Sequence, residues 1–184
     1  MRKFLSILVM LVMVVVSMAV SKSAYAATTD TFTITVTVNY IEMQIVLYDQ
    51  VWGGTEYTTW PIGSLATDST DTMIEAEGVK VVLGTTSQTV DIQSHVSNQG
   101  VAWTVAAAHN ANVYAILAKG YSTTQATPVT TGGTQLTTGA LDVTGATAVA
   151  SGAARWLYYS FDSPTSTITG AEQTITITVA IVVS

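Results

Sequence analysis

The sequence predicts an all-β fold, an antiparallel β-sandwich with Greek-key or jelly-roll-like connections, following a cleaved export signal. Three observations predict it. Short runs of alternating apolar and polar residues recur along the chain, most of them bounded by Gly, Asn, Asp, Ser or Pro. Threonine occurs 32 times, always beyond residue 26, and a β-branched side chain with a neutral hydroxyl suits a pleated surface. No alternation of strands with helical patterns is present to build a parallel α/β sheet.

Residues 1–26 read as a secretory signal: Arg2 and Lys3 form a basic start, residues 4–20 an apolar core, and Ala24-Tyr25-Ala26 a small-x-small cleavage site. A retained membrane helix is the bland alternative, since the run approaches the roughly 18 to 20 residues that span a bilayer. Cleavage after Ala26 leaves 184 − 26 = 158 residues. That length suits one domain, organised as an N-terminal strand over 27–40 and a sandwich over 41–184.

The stretch TFTITVTVNYIEMQIVLYD, residues 31–49, alternates strictly, but its phase slips once. Phe32, Ile34, Val36, Val38 and Tyr40 sit on even positions; Ile41, Met43, Ile45 and Leu47 sit on odd ones. A change of parity means one residue gained against the pairing, or a move into another sheet. A β-bulge near Asn39 and Tyr40 in one bent strand explains it. So does a segment, residues 28–38, that leaves its own subunit and fills a groove in a neighbour by β-augmentation. In that reading Phe32, Ile34, Val36 and Val38 are the subunit contacts. No Gly or Pro turn folds the segment back, and it carries one charge, Asp30, so nothing blunts it as an edge.

Further along, Trp52, Tyr57 and Trp60 near Gly53 and Gly54 offer a carbohydrate-stacking platform, although tryptophans pack cores more often than they face solvent. Residues 69–78 predict a short helix, with Thr72 and Glu75 at capping-box spacing and Gly78 at its end. Asp68, Asp71, Glu75 and Glu77 there are weak calcium candidates, and acids near a helix N-terminus explain the cluster without a metal. Strands are expected over 79–83, 89–96, 101–106, 113–118, 155–161 and 174–183, with Asn98-Gln99-Gly100 joining the second and third as a hairpin. Residues 123–154, rich in Thr, Gly and Ala, read as long loops, mobile or ordered by a partner, with a weak strand over 140–143. The last strand, with Ile175, Ile177, Val179, Ile181 and Val183 on one face, could flank a groove or pair with the N-terminal strand within one chain.

Composition narrows the function. After signal removal Lys80, Lys119 and Arg155 stand against twelve acids, a net charge of 3 − 12 = −9, which repels nucleic acid and anionic lipid. There is no cysteine, hence no disulfide framework, thiolate metal site or lipidated junction. Enzyme motifs are missing: no nucleophile elbow, HExxH helix or phosphate loop is present. His95 and His109 read as surface or turn residues, and no pair among Glu56, Glu75, Glu77, Asp91 and Asp162 is singled out by spacing as glycosidase acids. The expectation is therefore a non-enzyme with no catalytic residue and no cofactor, calcium aside.

Signal, free alternating N-terminal strand, sandwich body, few charges and abundant threonine together make the chain resemble secreted donor-strand pilins and related extracellular fibre subunits. The resemblance is architectural and carries no motif residue by residue. It implies a secreted, cell-surface homopolymer of identical copies, with membrane contact only during export and no nucleic acid. The alternative expectation is a secreted glycan or cell-wall binding module.

Overall fold

The computed structural model describes residues 41–86 and 88–184, which fall within one compact unit, Val38–Ser184. The export signal expected over 1–26 and the strand expected over 27–40, with Phe32, Ile34, Val36 and Val38, lie outside the described residues, as does the phase slip itself.

Among the described residues ten strands follow one another: β1 (Met43–Leu47), β2 (Thr70–Thr72), β3 (Val79–Leu83), β4 (Val90–Asn98), β5 (Thr104–Val105), β6 (Val113–Tyr121), β7 (Thr134–Gln135), β8 (Leu141–Asp142), β9 (Ala154–Asp162) and β10 (Thr176–Val183). The fold is all-β and sandwich-like. One sheet runs β1-β3-β9-β6-β5, with β2 added to β9 and β7 to β6; the second is narrower, β10-β4-β8. Every pairing is antiparallel except the short β5–β6 contact, which is parallel.

Period-two alternation decides what each strand buries. Val79, Val81 and Leu83 of β3 and Val90, Ile92 and Val96 of β4 turn inward and meet Tyr114 and Ile116 of β6 and Leu157, Tyr159 and Phe161 of β9 in one core. Trp103 leans on the Tyr114 and Phe161 rings, centroids 6.4 Å from each, and its indole N–H donates to Thr167 Oγ1 at 2.8 Å. The middle of the larger sheet is covered on its other face too. Tyr158 Oη accepts the Gln125 N–H at 3.1 Å, and the Thr130 hydroxyl donates to buried Ser160 Oγ at 2.9 Å.

Three local expectations are corrected. Residues 69–78 form no helix: residues 70–72 pair with Asp162, Phe161 and Ser160 of β9 as β2, and only a 3₁₀ turn remains over Glu75–Glu77. A strand ladder outweighs the few intrahelical bonds of a two-turn helix. Here the Glu77 carboxylate accepts the Ile74 N–H at 2.9 Å. The hairpin at Asn98-Gln99-Gly100 is also absent, because β4 pairs with β10 on one side and β8 on the other. Val101 is 100% exposed. Glutamine side chains hold this stretch: Gln173 Oε1 accepts the N–H groups of Val101 and Ala102, and Gln99 Oε1 that of Val105.

The third correction concerns residues 123–154: they are largely loop, and the weak strand expected over 140–143 is β8, but the segment is built into the body and buries Leu136, Val143, Ala146 and Val149 completely. They lace the two sheets together along one side. Leu136 N–H donates to Ile116 O of β6 and Val96 N–H of β4 to Thr137 O, while Gly120 N–H of β6 donates to Thr144 O and Val143 N–H to Ile92 O of β4. The lacing needs backbones in close approach, which is why Gly145 stands at φ +83° with a hypothetical Cβ only 2.2 Å from Gly120 O. Away from the lacing the sheets end in β1 and β10, and among the described residues no ladder joins these two strands.

Candidate functional site

The open side is built from end strands. In β4, Val90, Ile92 and Val96 donate their N–H groups towards the lacing segment, so its alternate residues Asp91, Gln93 and His95 face β10, opposite Val182, Ala180 and Thr178. Ser184 N–H donating to Thr89 O fixes the same phase. Ile177, Val179, Ile181 and Val183 therefore point their N–H and C=O groups away from the sheet, and among the described residues nothing pairs with them. β10 is TITVAIVV, with no charge, Pro or Gly to blunt that edge.

The side chains tell the same story. Ile175, Ile177, Val179 and Ile181 pack against the core but remain half-buried, as do Ile41, Met43 and Ile45 beside and within β1. Their counterparts one strand further in, Val81 and Ile92, are 0% exposed. Among the described residues, the core-facing side chains at β1 and β10 are thus more accessible than those one strand further in.

At β1 the outer edge is partly taken. The chain returns along it, with Leu47 N–H donating to Thr55 O at 3.0 Å and Tyr57 N–H to Ile45 O at 3.3 Å. A strap then continues through Trp60, Ile62 and Leu65, all packed on the core. Among the described residues the backbone over 58–65 makes one hydrogen bond, Ile62 N–H to Trp60 O at 3.2 Å. Tyr57 Oη and Trp60 Nε1 are buried without a partner, so burial, with the Glu77 charge second, pushes the Tyr57 hydroxyl above its ordinary range.

The aromatic trio is therefore divided. Tyr57 and Trp60 turn to the core, while Trp52 is 45% exposed in a shallow groove of about 550 Å³ lined by Glu42, Trp52, Lys80, Val82, Gly84 and Ala154. Lys80 Nζ donates to Gln50 O at 2.6 Å and lies 4.7 Å above the Trp156 ring. The acid cluster is dispersed as well. Asp68 is engaged by His109 Nε2 at 2.9 Å and Glu77 by the Ile74 N–H, with Asp71 on β2 and Glu75 in the 3₁₀ turn. Among the described residues no group of three or more His, Asp or Glu side chains is placed to hold a metal ion.

Of the other acids, Asp91 Oδ1 accepts from Ala148 N–H and Ser184 Oγ, both at 2.7 Å, and Asp162 accepts from Thr70 Oγ1 at 2.5 Å. Glu56 bridges to Val46 through its backbone. His95 lies in β4 opposite Thr178, its Nδ1 buried and unpartnered. Among the described residues no helix is long and apolar enough to cross a membrane.

Compared with family models, curated proteins and solved structures, the chain matches none. The function has to be read from the molecule's own geometry. Of that geometry, the apolar face of the last strand was legible as a periodicity. The strap over 58–65 was not, because its apolar residues follow neither a helical nor a strand period.

Proposed function

We propose that this chain is a non-enzymatic structural subunit of an extracellular filament or surface layer, assembled when the exported protein inserts its N-terminal segment, residues 28–38, into a neighbouring copy. The observation that supports it is the end strand β10, uncharged and, among the described residues, without a partner on its outer edge, beside half-buried apolar side chains. The segment has what that side lacks: a run of backbone donors and acceptors, and Phe32, Ile34, Val36 and Val38 at spacing two. Burying such side chains contributes about 1.5–3 kcal/mol each, enough in sum to offset the entropic cost of holding two copies together. A contact between one end of a chain and a different surface of the next is head-to-tail, and it repeats into a filament unless it closes into a ring.

Deletion of residues 28–38 from the mature chain tests the assignment. The expected product is a soluble body that forms no polymer by negative-stain microscopy or light scattering, whereas the full mature chain does. Fibres from the deletion variant would refute the exchange.

A second reading, a glycan or cell-wall binding module, is favoured by the exposed Trp52 ring beside a carboxylate and an ammonium group in one groove. On that reading Trp52→Ala reduces binding to a glycan array at least tenfold, and Trp60→Ala acts only through stability. An array with no ligand for the intact protein removes it.

A further inference from the structure

Resting on the glycan-binding reading, we infer that the groove beside Trp52 takes a neutral pyranose polymer, with the C–H face of one sugar ring on the indole and its hydroxyls bonded to Glu42 and Lys80. The loop that carries Trp52 is pinned from several sides. Within it the Gln50 N–H donates to Leu47 O at 3.0 Å and the Gly54 N–H to Val51 O at 2.8 Å. Side chains of the sheet hold it as well. Gln44 Oε1 accepts the Gly53 N–H at 2.6 Å, Lys80 Nζ donates to Gln50 O at 2.6 Å, and the Trp156 indole N–H donates to Tyr48 O at 2.7 Å. Gly53, at φ +80°, supplies the left-handed residue of the turn. A loop so fastened keeps Trp52, 45% exposed, in a fixed place. Holding a large ring in water costs hydrophobic energy, and it yields a surface already in the shape a ligand needs.

Polar partners stand at the edge of that ring. A Cβ built on Gly84 would lie 2.7 Å from Glu42 Oε2 and 3.2 Å from Trp52 Cη2, so the carboxylate and the indole edge flank one point above the Gly84 backbone. Only a residue without a side chain leaves that point open. Lys80 lines the same groove, and its ammonium has three N–H groups, of which Gln50 O takes one.

The chemistry of these three groups selects the class of ligand. A pyranose with equatorial hydroxyls offers an apolar C–H face to an aromatic ring and, around its rim, hydroxyls that both donate and accept. A carboxylate acceptor and an ammonium donor match such a rim. An acidic sugar would bring its own negative charge against Glu42 and an already acidic chain. The groove, about 550 Å³, falls within the usual size of small-molecule sites. Being shallow, it admits an internal ring of a polymer as readily as a chain end.

Sedimentation of the mature chain with cellulose, with chitin and with insolubilised polygalacturonate tests the inference. The expected result is retention on one or both of the neutral polymers and at least tenfold less on polygalacturonate. Trp52→Ala is expected to lose retention at least tenfold, and Trp52→Phe, which keeps a ring face, to recover part of it, with circular dichroism unchanged in both. Glu42→Gln keeps the shape and removes the charge, and is expected to narrow the preference for neutral polymer at least threefold. Stronger retention on polygalacturonate overturns the inference while a glycan-binding module stands, and so does retention on a neutral polymer that Trp52→Ala leaves intact. An unchanged preference in Glu42→Gln overturns the carboxylate's part. No retention on any of the three sinks the inference, and a glycan array without a ligand removes the binding reading with it.

Discussion

Asp91 shows how a single side chain on an outer face is tied to the termini of the fold. Its carboxylate accepts the backbone N–H of Ala148, held at φ +48°, and the hydroxyl of Ser184. The Ala148 N–H, with Ser184 second, holds its pKa below the usual aspartate range. A carboxyl depressed in the folded state adds stability above its unfolded pKa, and that stability is lost as pH falls through the lower, folded value. Asp91→Asn is therefore expected to lower the thermal midpoint slightly at neutral pH and to flatten its decline as pH falls below about 4. Superimposable pH profiles would show that the bonds contribute nothing at this solvent-facing group. Buried Tyr159 behaves oppositely: loss of water pushes its hydroxyl up to about 12 against the opposing bond with Ser94 Oγ at 3.2 Å, so it stays neutral across the same range. Residue types alone marked Trp52, Tyr57 and Trp60 as one platform. Their separation depends on which side of the returning chain each falls, which no residue type encodes.

At the scale of elements, strands with long clean alternation were legible almost to the residue. The expected 79–83 is β3, and 155–161 lies inside β9. β2 and β7 were not, because two or three residues carry no periodicity and exist only through pairing with β9 and β6. The same reason governs the segment that laces the sheets, where small residues read as loop but serve close approach. Gly145→Ala is expected to destabilise by about 2–4 kcal/mol, combining a left-handed backbone with a clash against Gly120 O. A urea midpoint shift at unchanged slope measures it. A neutral effect would mean that this side of the sandwich opens easily.

For the whole molecule the contrast between its two sides is decisive. One side is laced by residues 134–149, and the other ends in β1 and β10 with apolar side chains half in water. On the proposed strand-exchange reading, that difference between the two sides supplies the direction a head-to-tail polymer requires. On the strand-exchange reading, deletion of residues 28–38 is expected to abolish assembly, followed by light scattering, and to leave a folded body, followed by circular dichroism. The sequence by itself determined the all-β class, the faces of the long strands and the uncharged character of the last strand, because period-two patterning and charge are local properties. Only the tertiary structure decided which strands became neighbours, which edges have none among the described residues and which tryptophan faced water, since pairing joins residues as far apart as Thr70 and Asp162, and no local pattern records its partner.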